Sequence, residues 1–286
     1  MKIAFLVSGG LGEVVLKYFI NKYDISFVLT DKGSENIVNI CNENNILFYA
    51  GNPRKPEIDN FLIGISCDVI ISINYLFIIE KKIINLANQL CFNVHGSLLP
   101  KYRGRTPHVW AIINNEKETG ITAHIIDETC DTGDILKQIK VQILEEDTGA
   151  SILEKYKKLY IPLVEDVLFS FRSRTLTLYK QDENKATYFG KRTPDDGRID
   201  WSWSSERIVN WVRAQANPYP GAFTFYNNKK IIIDKVSKSD YGFHYETSNG
   251  TILLENPLLV KCCNSVLEIE KLRVEEFDFK VNEKFI

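Results

Sequence analysis

Short, uninterrupted apolar runs recur through the first third of the chain: Lys2–Val7, Ile25–Thr30, Ile46–Tyr49, Asp68–Ser72 and Cys91–Val94. Continuous runs of this length suit strands buried on both faces. Between them the spacing becomes helical. Val14, Val15, Tyr18 and Phe19 share one helical face after the first run, and Glu35–Asn44, Pro56–Ile65 and Lys81–Gln89 read as further helices. Strands alternating with helices predict an α/β fold with a doubly wound, mostly parallel sheet. Ligands in such sheets bind at the carboxyl ends of the strands.

The pattern continues with a helix over Pro107–Asn115 and strands over Thr119–Asp127 and Ile135–Val141. Asp147-Thr148 is placed to cap a long helix reaching about Arg172. Its apolar stripe is Ile152, Tyr156, Leu159, Leu163, Val167 and Phe171, and Pro162 is expected to kink it. Lys180–Gly197 is polar and turn-rich. The expected division is a domain over 1–180, a linker over 181–204 and a smaller, mainly β domain over 205–286. That last part opens with a helix, Ser205–Ala214, whose apolar face is Ile208, Trp211 and Val212.

Composition narrows the class of partner. The net charge is −2, and Lys and Arg nearly balance Asp and Glu from Asp200 onward, which does not favour a nucleic-acid grip. The six cysteines form no CxxC pair and no Cys/His metal spacing. They read as reduced thiols of a cytoplasmic protein. The run Ile3–Val7 is too short for a signal peptide and enters a glycine turn. No run approaches the ~20 apolar residues of a membrane span.

Chemistry concentrates where the last of the early strands ends. Residues two apart on a strand share a face, so Asn93 and His95 project together. The loop after them, Gly96-Ser97-Leu98-Leu99-Pro100-Lys101-Tyr102-Arg103-Gly104-Arg105-Thr106-Pro107, is rich in Gly, Pro and Arg. An amide donor beside an acid/base group, followed by a cationic loop, suits carbonyl chemistry near an anion. Arg103 and Arg105 suit phosphate or carboxylate recognition as well as they suit a solvated loop. Asp127, Asp131 and Asp134 compete to be the carboxylate that orients His95. A carboxylate there should favour the imidazolium form of His95. His108, His124 and His244 read as structural. Asp131-Thr132-Gly133 matches the aspartic-protease triplet but occurs once, in the wrong fold class. Gly10-Leu11-Gly12-Glu13-Val14-Val15 approaches a dinucleotide fingerprint, with Asp31 about 20 residues on. Val15 stands where the third glycine belongs, so a tight turn is the better reading.

Taken together, Asn93-Val94-His95-Gly96-Ser97-Leu98-Leu99-Pro100-Lys101-Tyr102-Arg103-Gly104, Glu118-Thr119-Gly120-Ile121-Thr122 and Asp131-Thr132-Gly133-Asp134 resemble the 10-formyltetrahydrofolate-dependent formyltransferases. The resemblance runs on through Arg192-Thr193-Pro194-Asp195-Asp196-Gly197-Arg198-Ile199-Asp200-Trp201 and Asn217-Pro218-Tyr219-Pro220-Gly221-Ala222, covering most of the chain. It implies a Rossmann-like catalytic domain, with Asn93, His95 and Asp131 as the catalytic trio. It implies 10-formyltetrahydrofolate as co-substrate, lying along Asn74, Tyr75, Leu76, Phe77 and Ile78, and no metal.

Within the family, the loop Arg103-Gly104-Arg105-Thr106-Pro107-His108-Val109-Trp110 is similar to that of the enzyme formylating UDP-4-amino-4-deoxyarabinose. The implied acceptor is a nucleotide-linked amino-deoxysugar of cell-surface polysaccharide or lipopolysaccharide synthesis. Arg105, Arg103, Ser97, Gly9 and Gly10 are the expected substrate contacts. Methionyl-tRNA formyltransferase is the alternative. The C-terminal domain would complete the nucleotide pocket, form a homodimer interface, or both.

Overall fold

The computed structural model describes residues 1–273 and 277–286. Its first part alternates β1 (Lys2–Val7), α1 (Gly9–Phe19), β2 (Asp24–Thr30), α2 (Glu35–Glu43), β3 (Phe48–Ala50), α3 (Glu57–Phe61), β4 (Cys67–Ile73), α4 (Lys81–Ile84) and β5 (Ala87–His95). Then come β6 (Arg103–Gly104), α5 (Pro107–Ile113), β7 (Glu118–Ile125), β8 (Ile135–Gln142), α6 (Gly149–Arg172) and β9 (Tyr188–Phe189). The remainder is α7 (Ser205–Ala214), β10 (Ala222–Tyr226), β11 (Lys229–Ser239), β12 (Ile252–Glu255), β13 (Leu258–Lys261) and β14 (Val266–Leu272).

Two compact units result. The first comprises Met1–Gly104, Gly120–Lys140 and Tyr156–Tyr188; the second comprises Arg105–Thr119, Val141–Lys155 and Phe189–Ile286. Residues 181–188 thus belong to the first unit and 189–204 to the second.

The first unit is built on a seven-stranded sheet in the order β3-β2-β1-β4-β5-β7-β8. β3 to β5 pair in parallel, whereas β5 and β7 are antiparallel. The sheet is therefore the mostly parallel, doubly wound one expected. The apolar runs are its central strands: Ile3 to Val7, and Val69 to Ile71, are fully buried.

Local detail differs where tertiary contacts override periodicity. On α1 the buried face is Leu11, Gly12, Val15, Leu16 and Phe19, while Val14 is 44% exposed. Gly12 sets that face: a Cβ there would sit 2.8 Å from the Val7 Cβ, so the helix lies directly on β1. The expected helix over Lys81–Gln89 stops at Ile84. The Cys67 N–H donates to the Leu86 carbonyl and Ala87 pairs with Cys67, so the ladder with β4 claims these residues. Helix α6 runs through Pro162 to Arg172. Thr148 caps it, its Oγ1 accepting the Ser151 N–H at 3.1 Å. Ile152, Tyr156, Leu163 and Val167 of the expected stripe are buried, and Leu159 and Phe171 are half-buried.

The second unit holds a five-stranded antiparallel sheet, β10-β11-β14-β13-β12. Helix α7 packs on it through Ile208, Trp211 and Val212, as its periodicity predicts. Ser204 caps α7 by accepting the Arg207 N–H. All six cysteines are free thiols. Among the described residues no helix is long and apolar enough to cross a membrane.

Candidate active site

β5 delivers Asn93 and His95 at its carboxyl end, and its antiparallel register with β7 sets Asn93 opposite His124 and His95 opposite Thr122. Like residues on opposed positions share a sheet face, so a third side chain, the His124 imidazole, joins the pair. Asp131 comes from the turn between β7 and β8. Its Oδ2 lies 3.6 Å from His95 Nδ1 and its Oδ1 lies 3.5 Å from His124 Nε2. The Asn93 amide nitrogen is 3.2 Å from His124 Nε2. Of the three candidate carboxylates, Asp131 is the one brought to His95. Asp127 instead accepts from the hydroxyls of Thr129 and Thr132 within its own turn.

Hydrogen bonding assigns the protons. His95 Nε2 is 2.8 Å from the Tyr102 carbonyl, which only accepts, so Nε2 carries a hydrogen. The nitrogen of neutral His95 that can take a proton is then Nδ1, facing Asp131. By the same reasoning His124 Nδ1 donates to the Ile125 carbonyl at 2.8 Å, leaving Nε2 to accept from Asn93.

Burial lowers the His95 pKa, and the Asp131 charge and the Tyr102 carbonyl restore only part of it. Asp131 does favour the imidazolium form, as expected, but burial turns the balance toward the neutral ring. His95 is 7% exposed, and desolvation outweighs an anion held beyond hydrogen-bond length. Burial also acts to raise Asp131, but the adjoining His95 and His124 rings and the Gly104 N–H together hold its carboxyl well below the usual range.

The loop after β5 is built around these two residues. Tyr102 adopts φ +62°, Thr106 +49° and Asp131 +59°, left-handed values that cost side-chain-bearing residues energy. They turn the Tyr102 carbonyl onto His95 and the Gly104 N–H onto Asp131 Oδ2 at 2.9 Å. Gly133 follows from the same turn: a Cβ there would lie 2.0 Å from the Ile125 carbonyl oxygen.

Other expected contacts fall differently. Arg103 was expected to offer an open donor fork. It is fully buried, its guanidinium bonded to Gln181, Glu183 and Tyr188, so those donors are already spent within the unit. Ser97 is buried, and its hydroxyl donates to the Lys101 carbonyl at 2.6 Å. Gly9 begins α1 at φ +61°, with its N–H on Ser34 Oγ at 2.9 Å; Gly10 has open space where a Cβ would go. Asp31 accepts from Ser34 Oγ and the Gly33 N–H. It closes a local turn after β2, while Gly10, Leu11 and Gly12 lie in the first turn of α1 rather than in the tight turn expected there.

Along the expected folate stretch, Asn74 donates to the Ser8 carbonyl at 3.0 Å, and the Tyr75 and Phe77 rings meet edge-on at 5.5 Å. The buried Tyr75 hydroxyl has no hydrogen-bond partner among the described residues, while Leu76 and Ile78 are exposed. Arg105 is exposed and belongs to the second unit, its backbone N–H donating to the Phe189 carbonyl at 2.9 Å. His124 is the site residue that sequence reasoning missed. Its only signal was the pairing of β7 with β5, which no local pattern announces.

A buried imidazole with its free nitrogen toward a carboxylate, beside an amide, is machinery for proton movement at a carbonyl carbon. The chain belongs to the formyl transferase family: residues 2–164 match Formyl transferase and residues 191–278 match Formyl transferase, C-terminal domain. It is 38% identical over 225 residues to the bifunctional polymyxin resistance protein ArnA of Wigglesworthia glossinidia brevipalpis. That alignment takes in 78% of this chain and 34% of ArnA, so the chain spans about a third of that relative.

Among solved structures, the fold matches WlaRD, a sugar 3N-formyl transferase solved with dTDP and 5-N-formyl-THF. The TM-score is 0.72 at 23% identity, over 96% of this chain and 99% of that one. It also matches the N-formyltransferase of Helicobacter canadensis in complex with folinic acid and dTDP-3-aminofucose. There the TM-score is 0.73 at 21% identity, over 94% and 97% of the two chains. The family expected from the motif is the family found.

Proposed function

We propose that this chain transfers the formyl group of 10-formyltetrahydrofolate to the primary amine of a nucleotide-linked amino-deoxysugar. The observation that carries the reading is the meeting of Asn93, His95, His124 and Asp131 at the end of β5. The likeness to two sugar N-formyltransferases over nearly the full length of both chains supports the acceptor class.

In this reading the acceptor nitrogen forms a bond to the formyl carbon, and the carbonyl oxygen becomes an oxyanion. The second N–H of the Asn93 amide, the one not on His124, donates to that oxygen. His95 Nδ1 removes a proton from the attacking nitrogen, and Asp131 stabilises the resulting imidazolium at 3.6 Å. The bond from the formyl carbon to folate N10 then breaks, and the proton passes from His95 to N10. Arg105, Gly9 and Gly10 serve the sugar nucleotide, and Asn74 to Ile78 serve the folate.

The test is formyl transfer by the purified chain from 10-formyltetrahydrofolate to a panel of nucleotide-linked 3- and 4-amino-deoxysugars, with initiator methionyl-tRNA as competing acceptor. Transfer to one sugar and none to tRNA is expected, with Arg105→Ala raising KM for that sugar nucleotide and leaving KM for the folate unchanged. Transfer to tRNA alone would overturn the acceptor class.

A further inference from the structure

Arg103 is the largest completely buried side chain among the described residues, and its guanidinium hydrogens are all engaged within its own unit. The reason lies in what its neighbours touch. The residue before it, Tyr102, presents the carbonyl that fixes His95; the residue after it, Gly104, presents the N–H that fixes Asp131. The backbone here is anchored at Tyr102 N to Thr187 Oγ1 and at Arg103 N to the Thr187 carbonyl, both 2.8 Å.

The side chain completes a ring. Arg103 Nε and Nη2 donate to Gln181 Oε1 at 3.1 and 2.7 Å, and Nη1 and Nη2 donate to the two Glu183 oxygens at 2.9 and 2.6 Å. With its oxygen so engaged, the Gln181 amide nitrogen turns both hydrogens onto the Asp131 turn, at 2.8 Å to the Asp131 carbonyl and 2.7 Å to the Gly133 carbonyl. Asp131 is thereby gripped at its carboxylate by Gly104 and at its backbone by Gln181, in a left-handed conformation.

We propose that Gln181 and Arg103 are positioning residues for formyl transfer, forming a latch that sets the separation of His95 and Asp131. The proposal rests on the catalytic roles given to those two residues. Gln181 lies far along the chain from both, in a stretch whose composition reads as a linker. A grip of this kind matters because a misplacement of about 1 Å in a catalytic group can cost on the order of 10²-fold in rate.

Two substitutions separate the latch from simple support of the fold. Gln181→Glu keeps an acceptor for Arg103 but removes the donors to the Asp131 turn. Gln181→Met keeps the length of the side chain and adds no charge. Both would be assayed for kcat and both KM values beside thermal melting, and the His95 ring would be titrated by NMR in the wild type and in Gln181→Met.

In both variants kcat is expected to fall by about 10- to 10²-fold, with the KM values within about twofold and both proteins folded at the assay temperature. The His95 midpoint should drop further in Gln181→Met as Asp131 draws away. Wild-type kcat in Gln181→Glu, or an unmoved His95 midpoint in Gln181→Met, would overturn the latch. The NMR titration needs no acceptor, so a wild type that formylates nothing would sink the functional reading while leaving the latch decided on its own evidence.

Discussion

Burial and the Asp131 carboxylate pull His95 in opposite directions, and burial is the stronger. The ring is then a neutral base at pH 7, and kcat/KM should hold until the pH falls below the ordinary imidazole value of about 6.5. A limb at or above that value would mean His95 acts as a resident imidazolium. Asp131→Asn removes the counterweight, so the acid limb should move lower still. Turnover should fall by at least about 10²-fold, the scale at which loss of one group stabilising the reacting charge is felt; near-normal turnover in a folded Asp131→Asn protein removes Asp131 from the mechanism. His124→Phe takes the acceptor from Asn93 and a contact from Asp131 together. With its acceptor gone the Asn93 amide is no longer held in place, and a small misplacement of a catalytic group can cost on the order of 10²-fold in rate, so kcat should drop roughly ten- to 100-fold. An unchanged kcat would return His124 to a structural role.

At the scale of elements, the packing of α1 on β1 leaves no room for one added methyl. Gly12→Ala forces a methyl to within 2.8 Å of the Val7 Cβ and 3.2 Å of its carbonyl carbon. Strand β1 is central in the sheet, so it has little room to yield. Overpacking of this sort costs about 1–3 kcal/mol, to be read as a lower urea midpoint at unchanged slope. A midpoint equal to the wild type would show that α1 shifts freely. The same contact explains why Val15 is tolerated where a nucleotide fingerprint wants glycine: here the close approach falls at Gly12, one turn earlier. Helix faces and boundaries were the least legible features. Val14 and Val15 are equally apolar, and only the direction in which Gly12 lets the helix settle decides which is buried. Residues 87–89 left a helical pattern because β4 offered a ladder.

Unfolding of the whole molecule should carry the signature of a second histidine. His108, in the second unit, is buried beside the Tyr219 hydroxyl, and burial lowers its pKa from 6.5 to about 4. The unfolded chain binds that proton more readily, so this contribution to stability is present above pH 6.5 and lost as the pH falls through about 4. At about 1.4 kcal/mol per unit the loss is on the order of 3 kcal/mol. Urea unfolding of the wild type and of His108→Gln across that range checks it: the mutant should show a shallower acid decline, and parallel declines would exclude His108 as the cause. At this scale the division between sequence and structure is also plain. The sequence by itself determined the alternating strands and helices, the shared face of Asn93 and His95, and the family motif, because each depends on residues close together in the chain. Tertiary structure alone brought His124 across from β7, turned Arg103 inward and set Gln181 against Asp131. Those depend on strand register and loop closure over long separations, which are decided by packing and by the need to satisfy buried polar groups.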